Sequence, residues 1–301
     1  LEKDQRGDFR NIENLQYLAC MNHPGGGRND IPNRIKRHFL SINMTSPSQK
    51  SIENIYGRIL ETLFNPKKYT PEVIKAKDVV VESTISLWNQ IRKILLPSPA
   101  KFHYVFNMRE LSRTFQGICN VAGKPEHQVI MKTLNMPSGT SPEYYILALW
   151  RHECERVFED KLVNIEDKKW FHDQLDKITL EKFKDTFTDK DDEDLKITQL
   201  FADFQRKDVF DEYGDMLEEA PFVYEAIKSM EHIKEIIYGK MNLFNEKYPS
   251  KKLSLVIFDD ACRHLLRIAR IINSPRGSAL LVGVGGSGKQ SLTKLSSSIC
   301  K

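Results

Sequence analysis

The chain has 301 residues, 40% of them hydrophobic, enough to bury a core in one or two domains. Its 45 basic and 41 acidic residues leave a net charge of +4, and the charges are interspersed, so nothing in the balance argues for nucleic-acid binding. No apolar run approaches the ~20 residues a membrane span needs, and Cys20, Cys119, Cys154, Cys262 and Cys300 show neither C-x-x-C nor metal spacing, which reads as reduced, cytosolic thiols in small core positions.

The first residues, Leu1-Glu2-Lys3-Asp4, are neither a signal peptide nor an initiator methionine, and the chain reads as cut from something longer. Leu15 to Met21 is an apolar run that predicts a buried strand, ending in the polar, glycine-rich stretch Asn22-His23-Pro24-Gly25-Gly26-Gly27-Arg28-Asn29-Asp30. Open α/β sheets build sites where a strand's carboxyl end delivers a polar residue into such a loop, so Asn22 is a candidate γ-phosphate contact; a plain turn asparagine is the other reading. A short basic helix over 32–39 and a second apolar strand over 40–44 follow.

From Ser48, a candidate N-cap, apolar residues at Ile52, Ile55, Tyr56, Ile59, Leu60 and Leu63 give helical spacing. Thr70-Pro71-Glu72 starts another helix, stopped by Pro97-Ser98-Pro99. A further helix follows Phe102–Phe106 and closes at Gly123, and Ser141-Pro142-Glu143 opens the next, with Tyr145, Ile146, Leu149, Trp150 and Val157 on its apolar face. Residues 184–220, with the acidic run Asp189-Lys190-Asp191-Asp192-Glu193-Asp194, read as an irregular connection. Helices are predicted over 221–248 and over 253–273, the second amphipathic, with Arg263, Arg267 and Arg270 on its polar side.

Ser278–Val282 then predicts a strand, Gly283-Val284-Gly285-Gly286-Ser287-Gly288-Lys289 is a G-x-x-x-x-G-K loop, and a helix begins near Gln290. Strand, glycine loop and helix in that order are the context of a phosphate-binding loop. The glycines let backbone N–H groups turn inward around a polyphosphate lying on the positive end of the helix, and Lys289 reaches its β and γ phosphates. Gln290 stands where a Ser or Thr usually holds Mg²⁺; its carboxamide oxygen is the candidate ligand, with Ser291 beside it. A flexible Gly/Ser turn is the bland alternative. With Lys301 so close behind the loop there is no room for Walker B carboxylates, so the 301 residues alone are expected to hydrolyse no ATP.

Three stretches resemble the dynein heavy chain motor, a ring of tandem AAA+ modules: Met21 to Phe39, Phe102 to Gly117, and Leu280 to Leu295. The order is similar to the third module running into the fourth, and Gln after the Walker A lysine suits the axonemal class. The resemblance implies an α/β plus helical fold, a fragment of tandem AAA+ P-loop modules in which parts of α/β large subdomains flank an all-helical small subdomain. It divides the chain into 1–47, the end of one large subdomain; 48–175, its helical lid; 176–252, linker and helices; and 253–301, the start of the next large subdomain.

By the same resemblance Asn22 is sensor 1, Arg37 the arginine finger with Arg34 as rival, and Arg109 sensor 2, while Gly283, Gly285, Gly286, Ser287, Gly288, Lys289, Gln290 and Ser291 hold ATP or ADP with Mg²⁺. A salt bridge to a neighbouring acid is the structural alternative for Arg109. The implied function is a segment of an ATP-driven microtubule motor of the ciliary or flagellar axoneme, in cytoplasm and cytoskeleton. Its partners are the rest of the ring and, through regions outside this chain, intermediate and light chains and microtubules, with no nucleic acid and no membrane. Two other readings stand beside it: a free-standing P-loop NTPase or kinase, and a helical interaction scaffold without catalysis.

Overall fold

The structure, a computed structural model, describes residues 13–21, 30–122, 141–184, 187, 195–196, 198–206, 209–210, 216–218 and 221–300. The chain forms two compact units, Leu1–Ser46 and Pro47–Lys301. In the first, helix α1 (Asn33–Lys36) is one short turn after Pro32, whose fixed φ starts it. The strands expected over 15–21 and 40–44 do not form. Leu18, Leu40, Ile42 and Met44 are all more than 70% exposed. A strand exists through its pairing, and no partner lies among the described residues of this unit.

The second unit is mostly helical and holds two cores. The first is built by α2 (Gln49–Leu63), α3 (Pro71–Ile94), α4 (Met108–Ala122), α5 (Pro142–Val157) and α6 (Ile165–Phe183). Ser48 caps α2, its hydroxyl accepting from Ser51 N at 3.2 Å, and Ser141 caps α5 by accepting from Tyr144 N at 3.4 Å. α5 is the central helix: every residue from Tyr145 to Cys154 is buried, the polar Arg151, His152 and Glu153 along with the apolar ones, so it has no solvent face over this stretch. Trp150 donates its indole N–H to Thr84 Oγ1 at 2.8 Å, and the buried Arg151 reaches Thr179 at 2.8 Å and Asp176 at 2.6 Å. The lid boundary expected at 175 falls inside α6, which continues to Phe183.

Beyond α6 the described residues include two small antiparallel pairs, β1 (Phe201–Ala202) with β4 (Glu225–Ala226), and β2 (Val209–Phe210) with β3 (Met216–Glu218). The Gln205 amide clamps the first pair, donating to Ala202 O, Glu225 O and Ala226 O. The acidic run 189–194 lies outside the described residues. The second core joins α7 (Met230–Lys247), α8 (Asp259–Asn273) and α9 (Lys289–Ile299) through Ile233, Ile237, Leu265, Ile268 and Leu295.

Three expectations need correction here. Residues 221–229 are not helical; they carry β4, and Ser229 caps α7 by accepting from His232 N at 3.1 Å. Residues 253–258 are extended rather than the first turns of a helix, because Asn245 takes both backbone groups of Leu253 (2.7 and 2.9 Å) and Tyr238 OH holds Ile257 N at 3.0 Å. Helix α8 starts only at Asp259, where two acids suit a helix N-terminus. The strand at 278–282 is absent as well: Leu280 is 91% exposed, and no described strand lies beside it. Among the described residues no helix is long and apolar enough to cross a membrane.

Candidate nucleotide-binding site

The glycine loop is formed by residues that must adopt left-handed backbone. Gly286 has φ +80° and Gly288, the N-cap of α9, has φ +76°, a region that side-chain-bearing residues rarely enter. Helix α9 begins at Lys289, as the sequence predicts within one residue. Leu292, Leu295 and Ile299 bury its apolar side in the second core, so a rigid helix presents an exposed loop at its N-terminus. Lys289 folds back over that loop: its ammonium donates to Gly283 O and Val284 O, each at 2.6 Å, and to Ser287 Oγ at 3.1 Å. The ammonium beside the glycine loop carries the charge that a polyphosphate oxyanion pairs with, and here its protons go to the loop's own oxygens. Thr293 Oγ1 is committed to Lys289 O at 2.7 Å. Gln290 is exposed and Ser291 half-buried.

The other predicted site residues are distributed elsewhere. Asn22 lies outside the described residues. Arg34 and Arg37 are both exposed in the first unit; Arg34 is within α1, and Arg37 follows its end and donates from Nε to His38 Nε2 at 3.2 Å. Arg109 is the second residue of α4. Asn107 starts that helix, with its Oδ1 accepting from Arg109 N at 2.8 Å while its own N–H donates to Glu110 Oε2 at 2.9 Å. This reciprocal cap is legible in Asn107-Met108-Arg109-Glu110, and it leaves the Arg109 side chain exposed. No ion pair engages Arg109 among the described residues, so the salt-bridge alternative is not met there. Arg109 stands on the first core and Lys289 on the second.

A polar network that the sequence reading missed joins these two cores. The carboxylate of Glu153, wholly buried on α5, takes Nε and Nη2 of Arg270 on α8. Tyr224 OH donates to the same carboxylate at 3.2 Å and meets His152 Nε2 at 2.8 Å. Burial, reinforced by the nearby arginines, holds His152 well below its ordinary pKa, and burial pushes Tyr224 up. Burial also disfavours the Arg270 charge, but the Glu153 carboxylate outweighs it and raises the arginine's pKa. One helical turn away Arg267 Nε meets Asp160 at 3.1 Å, and Asp160 also takes Arg156 Nε at 3.0 Å. A cavity of about 470 Å³ opens beside this network, lined by Arg113, Gln116, Asn120, Asn273 and Arg276 among others. It reaches Gly277 and Ser278 but none of the glycine loop, so the phosphate chemistry does not reside in it.

A glycine loop on a helix N-terminus, following a helical bundle on the same chain, defines a P-loop protein with a lid of the AAA+ type. Three family models match along the chain: a P-loop containing dynein motor region over 2–47, an AAA+ lid domain over 80–198, and the P-loop containing dynein motor region D4 over 253–301. The chain belongs to the dynein motor family. It is 41% identical over 297 residues to the dynein gamma chain of the flagellar outer arm of Chlamydomonas reinhardtii, covering 97% of this chain and 6% of that protein. It is 40% identical over 301 residues to dynein axonemal heavy chain 5 of Rattus norvegicus, covering 98% and 8%, and 39% identical over 300 residues to dynein axonemal heavy chain 8 of Homo sapiens, covering 98% and 6%. The chain thus spans under a tenth of the length of these relatives.

Proposed function

We propose that the chain is a segment of an ATP-driven microtubule motor of the ciliary or flagellar axoneme, and that it contributes parts of two nucleotide sites to an AAA+ ring. The Lys289 loop is the phosphate cradle of one site, with Gly283, Gly285, Gly286, Ser287 and Gly288 as its backbone. Arg109, on the lid, serves the other as sensor 2. Asn22 is its sensor 1, and Arg37, or Arg34 beside it, is a finger directed at the preceding module. Guanidinium suits these roles because its planar fork matches phosphate oxygens. In this reading 1–47 closes one large subdomain, the lid runs from 48 to the end of α6, and 253–301 opens the next large subdomain. The rest of the ring, intermediate and light chains and microtubules are its partners.

The observation that carries the proposal is the separation of Arg109, exposed and without an ion pair among the described residues, on one core from the Lys289 loop on another. The test is made in the complete protein that contains this segment, by counting bound nucleotide or by cryo-EM occupancy. Lys289→Ala should empty one site, Arg109→Ala should weaken a different one, and Arg37→Ala should spare both. A lost charged contact to phosphate is worth about 1.5–3 kcal/mol, roughly ten- to a hundredfold in affinity. If Lys289→Ala and Arg109→Ala emptied the same site, the two-site reading would fall.

A further inference from the structure

We propose that the Lys289 loop takes its nucleoside polyphosphate with little dependence on Mg²⁺, because Gln290 removes the side chain through which the protein would hold the ion. The proposal rests on the nucleotide reading above.

The donor set at the start of α9 does not fit a protein-held Mg²⁺. The ion is small, demands near-ideal octahedral oxygen geometry and gives up its water reluctantly. The hydroxyl usually found after the P-loop lysine suits it by being one carbon from a rigid helix. Gln290 offers a neutral carboxamide on three rotatable bonds, and ordering such a side chain has an entropic cost. It stands exposed at the second position of the helix.

Neither neighbouring hydroxyl substitutes for it. Ser291 is displaced by about 100° around the helix, since a turn takes 3.6 residues, and it is half-buried. Thr293 lies three residues beyond Gln290, about 4.5 Å further along the helix from the loop.

What the loop does offer is a cation and a helix N-terminus. The Lys289 ammonium already sits within 3.1 Å of three loop oxygens, and α9 directs the positive end of its dipole at the same place. Phosphate charge is therefore met by groups of the protein itself. A Mg²⁺ ion arriving on the phosphates would keep its water shell and add little to the affinity at this site.

The experiment uses the complete protein and a fluorescent ATP analogue, with and without Lys289→Ala, so that the difference isolates this site. It is run once with Mg²⁺ and once with EDTA. The expected result is a Lys289-dependent Kd that changes by less than about threefold between the two conditions, well under the tenfold that 1.4 kcal/mol represents. Gln290→Thr, which restores the hydroxyl, should tighten binding about tenfold in Mg²⁺ and leave it unchanged in EDTA. A Lys289-dependent site in the native sequence that fills only in Mg²⁺ would overturn the proposal while keeping the site. No Lys289-dependent binding in either condition would overturn the site itself. A Gln290→Thr variant as indifferent to Mg²⁺ as the native protein would overturn the role given to Gln290.

Discussion

Glu153 and Arg270 lie 117 residues apart in the chain, yet the buried carboxylate of one takes two hydrogen bonds from the guanidinium of the other. Their meeting depends on a third residue. A Cβ placed on Gly117 of α4 would stand 1.8 Å from Glu153 Oε2, so the glycine there is a space requirement and not a flexible joint. Gly57 in α2 and Gly239 in α7 have nothing within 4 Å of that position. Alanine substitutions at the three helical glycines should therefore differ in sign. Gly57→Ala and Gly239→Ala should each stabilise by about 0.5–1 kcal/mol, whereas Gly117→Ala should destabilise. Denaturant titration of the three variants decides this.

The ion pair itself should be far costlier to break than to delete. Glu153→Leu alone leaves the Arg270 charge largely buried without its partner, a loss of about 3–5 kcal/mol. Glu153→Leu combined with Arg270→Met removes both charges and should cost clearly less than the sum of the single variants. A double-mutant cycle on unfolding free energies that came out additive would mean that the two side chains do not stabilise one another.

A second buried bond ties α5 to α3. Thr84→Val keeps the shape of the side chain but leaves the Trp150 indole N–H without its acceptor, a cost of about 1–3 kcal/mol. Thr84 is wholly buried, so water cannot replace the hydroxyl. Thr84→Ser, which restores an acceptor, should recover part of the loss in thermal unfolding.

Between pH 5 and 9 the pair His172 and Glu159 should give a measurable slope. Its atoms are 3.4 Å apart, and the hydrogen bond to Glu159 raises the histidine above its ordinary 6.5. A raised histidine contributes stability that is complete below its unfolded value and lost as the pH climbs through the folded one. Burial works against the Glu159 charge, but His172 and the nearby arginines outweigh it and leave that pKa lowered. The glutamate's share is consequently present above its unfolded 4.5 and lost as the pH falls through its folded value. His172→Gln should thus weaken the protein most near pH 6 and hardly at all near pH 9. The effect is modest, since the His172 side chain is 40% exposed.

Local signals in the sequence led reliably to helices. Ser48, Thr70-Pro71 and Ser141-Pro142 mark starts that the structure keeps, and Gly288-Lys289 starts α9 where the motif places it. The three apolar runs at 15–21, 40–44 and 278–282 misled, because β propensity states a preference for pairing and says nothing of whether a partner is present. Residues 253–258 misled for a different reason. Their apolar spacing continues that of α8, but Asn245 and Tyr238, on another helix, hold the backbone extended. The Glu153 network was illegible for the same reason: its members, from His152 to Arg270, are ordinary charged or polar residues until the fold brings them together. Of the predicted site, the helix start at Gly288-Lys289 was legible in the motif, while the exposure of Arg109 follows from the Asn107 cap.

The long reach of the Glu153–Arg270 contact also orders events in time. Each core is built mainly from one stretch of chain, 49–183 in the first and 230–299 in the second, whereas the Glu153–Arg270 contact joins the two. Because the contact between residues 153 and 270 joins the two cores, it is expected to form late, after the folding barrier is crossed. Removing it should accelerate unfolding and leave the refolding rate nearly unchanged.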